Sequence, residues 1–156
     1  MMPDGWFETL KTILVHDEGC RPRPYDDATG NTVHAEKGNI SIGIGRNLEA
    51  NPLSDAAISF LLAEDVTVAL QGAASLFGDA FGHYSAPRQH AIVCLIFNLG
   101  LSKFMDFQNT IAAIKAGDWQ KACANLENSK WHRQVGERSR RILTMLEFEK
   151  YPYPGL

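Results

Sequence analysis

Two carboxylates stand close together in the first third of the chain, Glu18 and Asp27, within the stretch HDEGCRPRPYDDATGNTVHAEKGNISIGIGRNL at residues 16 to 48. A helical run ends at Glu18-Gly19, and a proline-containing loop carries Tyr25-Asp26-Asp27. Ser41-Ile42-Gly43-Ile44-Gly45 then alternates like a strand whose glycines permit close approach of a ligand or another backbone. Two acids on different elements beside a glycine-lined cleft are what hydrolysis of a glycosidic bond needs. One carboxyl protonates the leaving oxygen, and the other acts on the opposite face of the sugar.

The elements that must position these groups are read from periodicity. Trp6, Phe7, Leu10, Ile13 and Leu14 recur at helical spacing and predict a first helix that delivers Glu18 at its C-terminal end. That position faces the negative end of the helix dipole and suits a proton donor. Residues 21 to 45, with two prolines and four glycines, predict a small hairpin or three-stranded sheet with residues 30 to 39 as its exposed tip. His34 and Glu36 in that tip are read as solvated, and no metal site is expected. Ser54-Asp55 opens a long amphipathic pattern to about Leu76, which serves as a connector between lobes. After Ser85-Ala86-Pro87, the run Ala91, Ile92, Leu95, Ile96, Leu99 predicts a nearly all-apolar helix at the centre of a second lobe. Further helices are predicted over Phe107 to Ala116, Asp118 to Asn128 and Glu137 to Glu149, with Trp119 and Trp131 as core or cleft-wall residues. The fold class is α+β: a β-hairpin lobe with the first helix over about 1–53, a connecting helix over about 54–78, and a helical lobe over about 79–156, within one domain.

Composition is that of an ordinary globular chain, 45% hydrophobic and 21% charged over 156 residues. No apolar run approaches the length of a membrane span, and no secretory signal opens the chain, so a cytoplasmic site of synthesis and no stable membrane insertion are expected. The three cysteines, Cys20, Cys94 and Cys123, follow no disulfide or zinc spacing, and Cys94 and Cys123 are expected to be buried. Residues 1–78 hold 5 basic and 11 acidic side chains, whereas residues 79–156 hold 10 basic and 7 acidic. The basic excess gathers at Lys130, Arg133, Arg138, Arg140 and Arg141 without aromatic interleaving, so a solvated helix face or a contact with an anionic polymer is expected rather than nucleic acid.

Asp17-Glu18-Gly19, Tyr25-Asp26-Asp27 and Ser41-Ile42-Gly43-Ile44-Gly45 closely resemble the catalytic region of the phage T4-type lysozymes, or endolysins. The likeness continues through Arg88 to Gly100, Phe107 to Thr110, Ala116 to Asn125, Ser129-Lys130-Trp131 and Arg138 to Arg141, and so covers most of the chain. It implies a lysozyme-like fold and a muramidase, with no cofactor, that cleaves the β-1,4 bond between N-acetylmuramic acid and N-acetylglucosamine in peptidoglycan. By position, Glu18 is the proton donor, Asp27 the second carboxylate, and Ser41 stands where the family has a catalytic threonine. Asp26 is the competing carboxylate, read as a loop charge. Arg138 falls beside the catalytic Glu, while Phe97, Asn98, Thr110 and Asn125 correspond to residues that bind sugar or peptide, or else pack the lobe. The resemblance also implies a monomer held in the host cytoplasm until a holin lesion gives it access to the periplasmic wall. Two departures stand out: an insertion before Ser41 that lengthens the hairpin tip, and Arg46 in place of a family histidine, with Asp65 as its expected partner. A non-catalytic peptidoglycan-binding module and an enzyme acting on chitin remain alternatives.

Overall fold

A computed structural model describes every residue except Met1, Pro3, Asp27 and Ala28. Nine helices and one two-stranded antiparallel sheet make up the regular structure among the described residues, an α+β arrangement of the lysozyme-like kind. The chain divides into two compact units, Glu18–Glu64 on one hand and Met1–Asp17 with Asp65–Leu156 on the other.

The helical unit is built as the periodicity implies. In α1 (Trp6–Glu18), Trp6, Leu10, Ile13 and Leu14 are buried, one stripe at i, i+4, i+7, i+8. α2 (Asp55–Phe77) crosses from one unit to the other and is started by Ser54, whose Oγ accepts the Ala57 N–H at 3.2 Å. By length and composition alone, α2 meets the requirement for crossing a bilayer, contrary to the expectation from sequence. Glu64 and Asp65 lie at its middle, Val66, Ala69, Gly72, Ala73 and Phe77 are buried in protein, and Phe60, Leu61 and Val68 are exposed. A short α3 (Ala80–His83) leads to α4 (Ala86–Leu99), where every residue from Gln89 to Ile96 is buried.

Around α4 pack α5 (Leu101–Met105) and α9 (Glu137–Phe148), with α6 (Gln108–Lys115), α7 (Trp119–Glu127) and α8 (Lys130–Val135) completing the layer. Asp118 caps α7 by accepting the Lys121 N–H at 3.0 Å, and Ser129 caps α8 by accepting the His132 N–H at 3.1 Å. Helices α3, α5 and α8 lie outside the predicted set, because four to six residues are too few to establish a period. Cys94 and Cys123 are buried as expected, and burial pushes the Cys123 thiol up to about 12.

The other unit has little core. Among its described residues, Leu48 is the one buried hydrophobic, and hydrogen bonds to the backbone set most of its shape. Strands β1 (Ser41–Ile42) and β2 (Arg46–Asn47) pair with Ser41 opposite Asn47, and the turn Gly43-Ile44-Gly45 joins them. The predicted strand therefore breaks at Gly43: both glycines take positive φ, 58° and 70°, which only glycine adopts cheaply. The Arg21 guanidinium donates to the Gly30 carbonyl and lies over the Tyr25 ring at 4.8 Å, and Arg23 donates to the Glu49 carbonyl. The Glu49 carboxylate in turn accepts the Ala35 N–H at 2.8 Å, which pins the inserted tip. Arg46, expected to meet Asp65, gives its Nε to the Asn51 carbonyl and its Nη2 to the Pro52 carbonyl, at 3.1 and 2.6 Å.

Candidate active site

Glu18 is exposed at the last position of α1, and Gly19 leaves the helix at φ +77°. What sets the end of this helix is the residue before it. The Asp17 side chain is only 3% exposed. Its Oδ1 accepts from Arg141 Nε at 2.9 Å and Nη2 at 2.6 Å, its Oδ2 accepts the Tyr153 hydroxyl at 2.9 Å, and His16 Nδ1 lies 3.1 Å from Oδ1. Arg138 Nη2 donates to the Asp17 carbonyl at 2.6 Å. A helix C-terminus leaves carbonyls without intrahelical partners, and cations there complement the dipole.

Charge states in this cluster reinforce one another. Burial lowers the proton affinity of Arg141, but the hydrogen bonds and charge of Asp17 outweigh it, so its pKa ends raised. Burial and the Asp17 carboxylate raise the Tyr153 phenol. The arginine therefore stays charged and the phenol stays a donor at any working pH.

Of the other residues singled out from sequence, Ser41 is exposed as the first residue of β1, in the same unit as Glu18. Asp27 lies outside the described residues. Asp26, its competitor, has a turn-forming part: its Oδ1 accepts the Thr29 N–H at 3.2 Å, and its carbonyl accepts the Gly30 N–H at 2.7 Å.

In the helical unit, Thr110 and Asn125 come together in a polar recess of about 420 Å³, with Gln108, Asn109 and Asn128. Asn125 Nδ2 is itself buried and makes no hydrogen bond. Phe97 is not part of this recess; it lines a separate, mostly apolar groove with Asp65, Val68, Ile96 and Leu101. Asn98 is held by Trp131, whose indole N–H donates to its Oδ1 at 3.1 Å.

A family model described as Phage lysozyme matches residues 15–145. The chain belongs to the phage lysozyme family. Its activity is that of a lysozyme, a glycosidase. Among curated proteins it is 25% identical over 159 residues to "Probable T4-type lysozyme 2" of Dictyostelium discoideum, covering 89% of this chain and 94% of that one. "Probable T4-type lysozyme 1" of the same organism is 22% identical over the same shares. The "Pre-baseplate central spike protein Gp5" of Enterobacteria phage T4 is 24% identical over 88% of this chain but 27% of its own length.

In this lysozyme the basic cluster divides between the surface and ties within the protein. Arg138 and Arg141 are engaged by Asp17, so two of the five cations are committed within the protein, while Arg140 pairs with Glu137 on the solvated face of α9. Asp17 and Tyr153 went unassigned in sequence. Their partners lie more than 120 residues apart in the chain, a pairing that no local pattern encodes.

Proposed function

We infer that this lysozyme cleaves the β-1,4 bond between N-acetylmuramic acid and N-acetylglucosamine in bacterial peptidoglycan, with inversion at the anomeric carbon, to lyse a bacterial host. Glu18 is the general acid, Asp27 the carboxylate that assists water, and Ser41 the hydroxyl that positions it. No cofactor takes part. The observation that carries the reading is the anchored end of α1: Asp17, held by Arg141 and Tyr153, fixes the backbone from which Glu18 projects. A general acid must meet the leaving oxygen within hydrogen-bond reach, so a rigid base for its side chain is what the chemistry needs. The recess at Thr110 and Asn125 supports the substrate assignment, since a lining that also holds Asp106, Gln108, Asn109 and Asn128 suits the acetamido or peptide groups of peptidoglycan.

The chain acts as a monomer on the wall, after release from the host cytoplasm through a holin lesion. Digestion of purified peptidoglycan followed at once by proton NMR is the test. Reducing ends on muramic acid that appear first as the α-anomer are expected; β-anomer first would overturn inversion, and binding without new reducing ends would leave a non-catalytic wall-binding module instead.

Ser41 gives a second measurable outcome. Its hydroxyl is worth about 1 to 3 kcal/mol as a hydrogen bond to a reacting water, so Ser41→Ala should lose roughly 5- to 150-fold in kcat. Ser41→Thr restores the added methyl and should match or exceed the parent, because β-branching narrows the χ1 choices of the hydroxyl. Equal rates for Ala and Ser at position 41 would remove the residue from the reaction.

A further inference from the structure

His90 sits in the middle of the helical unit, on α4, with no exposed surface. Its Nε2–H donates to the Trp6 carbonyl on α1 at 3.0 Å, and its Nδ1 accepts the Tyr151 hydroxyl at 2.9 Å. The ring also meets the Trp6 indole at 4.4 Å and the Tyr151 ring at 5.7 Å between centroids. One imidazole therefore ties the start of the chain to its C-terminal tail. Trp6 and Tyr151 both lie outside the segment that matches the family.

The tail carries one of the ties on Asp17, the Tyr153 hydroxyl. After α9 it is fastened at three points: Glu149 to Arg88 at 2.6 Å, Tyr151 to His90, and Tyr153 to Asp17. We propose that His90 is an acid-release latch, whose protonation frees the tail around Tyr151 and Tyr153 and so loosens the hold on Asp17 beside Glu18. The consequence for catalysis rests on the assignment of Glu18 above; release of the tail does not.

The chemistry follows from the two ties. A proton on Nδ1 turns an acceptor into a donor, so the Tyr151 hydroxyl has to rotate and its own proton loses its acceptor. The new charge lies in a fully buried site without a carboxylate on either ring nitrogen, an environment that penalises it. Charged groups on the packed elements are engaged or in water: Glu8 is exposed and Lys11 half-exposed on α1, and Glu149 and Lys150 are exposed on the tail. On α4 itself, Arg88 donates to the Leu146 carbonyl and pairs with Glu149. The phenol of Tyr151 is no source of negative charge, since burial pushes it up to about 12.

Burial lowers His90 to about 4, against a smaller opposing pull from the Trp6 carbonyl. The released state, with an ordinary imidazole near 6.5, binds the proton first. The latch is therefore fully closed above about pH 6.5 and is lost as pH falls toward 4. Between pH 7 and pH 5 the opening equilibrium should rise about twentyfold.

Cys94 supplies the readout. It is buried, and it lies close enough to the Tyr153 phenol to influence its titration, whereas Cys123 is buried on α7 against the Leu143 carbonyl. In a Cys20→Ser background, labelling with an aromatic disulfide that reacts in acid, normalised to a free thiol at each pH, is read at each cysteine by peptide mass. Labelling of Cys94 should rise about twentyfold from pH 7 to pH 5 with Cys123 unchanged. Adding His90→Gln should leave Cys94 labelled faster at pH 7 and indifferent to pH. Both cysteines labelled in step, or a rise that survives His90→Gln, would overturn the latch. Should the glutamine variant not fold, Tyr151→Phe replaces it: Cys94 protection at pH 7 should fall, and unchanged protection would refute the tie. Peptidoglycan hydrolysis by the same samples should fall with the labelling rise. Tail release with undiminished hydrolysis would overturn the coupling to Glu18 and leave the latch itself standing.

Discussion

Glu18→Gln should abolish peptidoglycan hydrolysis, with kcat down about a thousandfold, while the protein remains folded. The amide keeps the size and hydrogen-bonding shape of the carboxyl but has no proton to give to the leaving sugar oxygen, and general acid catalysis accounts for about 10² to 10⁴ in rate. Glu18 is exposed at the end of α1, so stability should change by no more than about 1 kcal/mol. Substrate binding should survive, and the variant should still sediment with insoluble peptidoglycan. The measurement is release of reducing ends at saturating substrate, beside a thermal melt. A folded Glu18→Gln protein that works at the parent rate would remove Glu18 from the chemistry and with it the proposed mechanism.

Asp17→Asn should be the most destabilising single change in the neighbourhood of the site, although Asp17 is not itself the acid. Its carboxylate is nearly inaccessible and is the shared acceptor for Arg141 and Tyr153. Removing the charge strands a half-buried guanidinium, a loss of about 2 to 4 kcal/mol. For a chain of this size that is a fall in Tm of roughly 10 °C. Activity should fall further than folding explains, because the Arg138, Arg141 and Tyr153 ties all converge on the last turn of α1. Below the melt, kcat should drop with KM little changed. Pairing Asp17→Asn with Arg141→Met tests the cause: the double variant should recover part of the stability, since it no longer buries an unpaired cation. Additive losses in that cycle would show that the two residues act independently.

Much of this architecture was legible in the residues themselves. The stripe Trp6, Leu10, Ile13, Leu14, the capped connector that begins at Ser54, and the apolar run of α4 each declared a helix by period, and each is one. Periodicity also has a lower limit of length, which is why α3, α5 and α8 went unseen. In the Glu18–Glu64 unit the reading was coarser. A hairpin was expected, but its turn falls at Gly43 to Gly45 inside the predicted strand, because two glycines at positive φ reverse the chain sooner than alternation suggests. Charge was the least legible property. Five cations gathered in one stretch read as a surface, yet Arg138 and Arg141 close on Asp17 from the opposite end of the chain.

By itself, the sequence determined the family and the α+β class, since these rest on residue type, short-range spacing and hydrophobic period. Only the tertiary structure decided what anchors Asp17 near the end of α1 and what ties the chain's two ends together. The Asp17 cluster and the His90 latch are contacts between residues 61 to 136 positions apart. A hydrogen bond at that separation depends on where helices pack, not on any pattern in the neighbouring residues. The unit that carries Ser41 and the inserted tip is shaped by arginine and glutamate bonds to backbone carbonyls and amides, which composition alone does not distinguish from solvated charge.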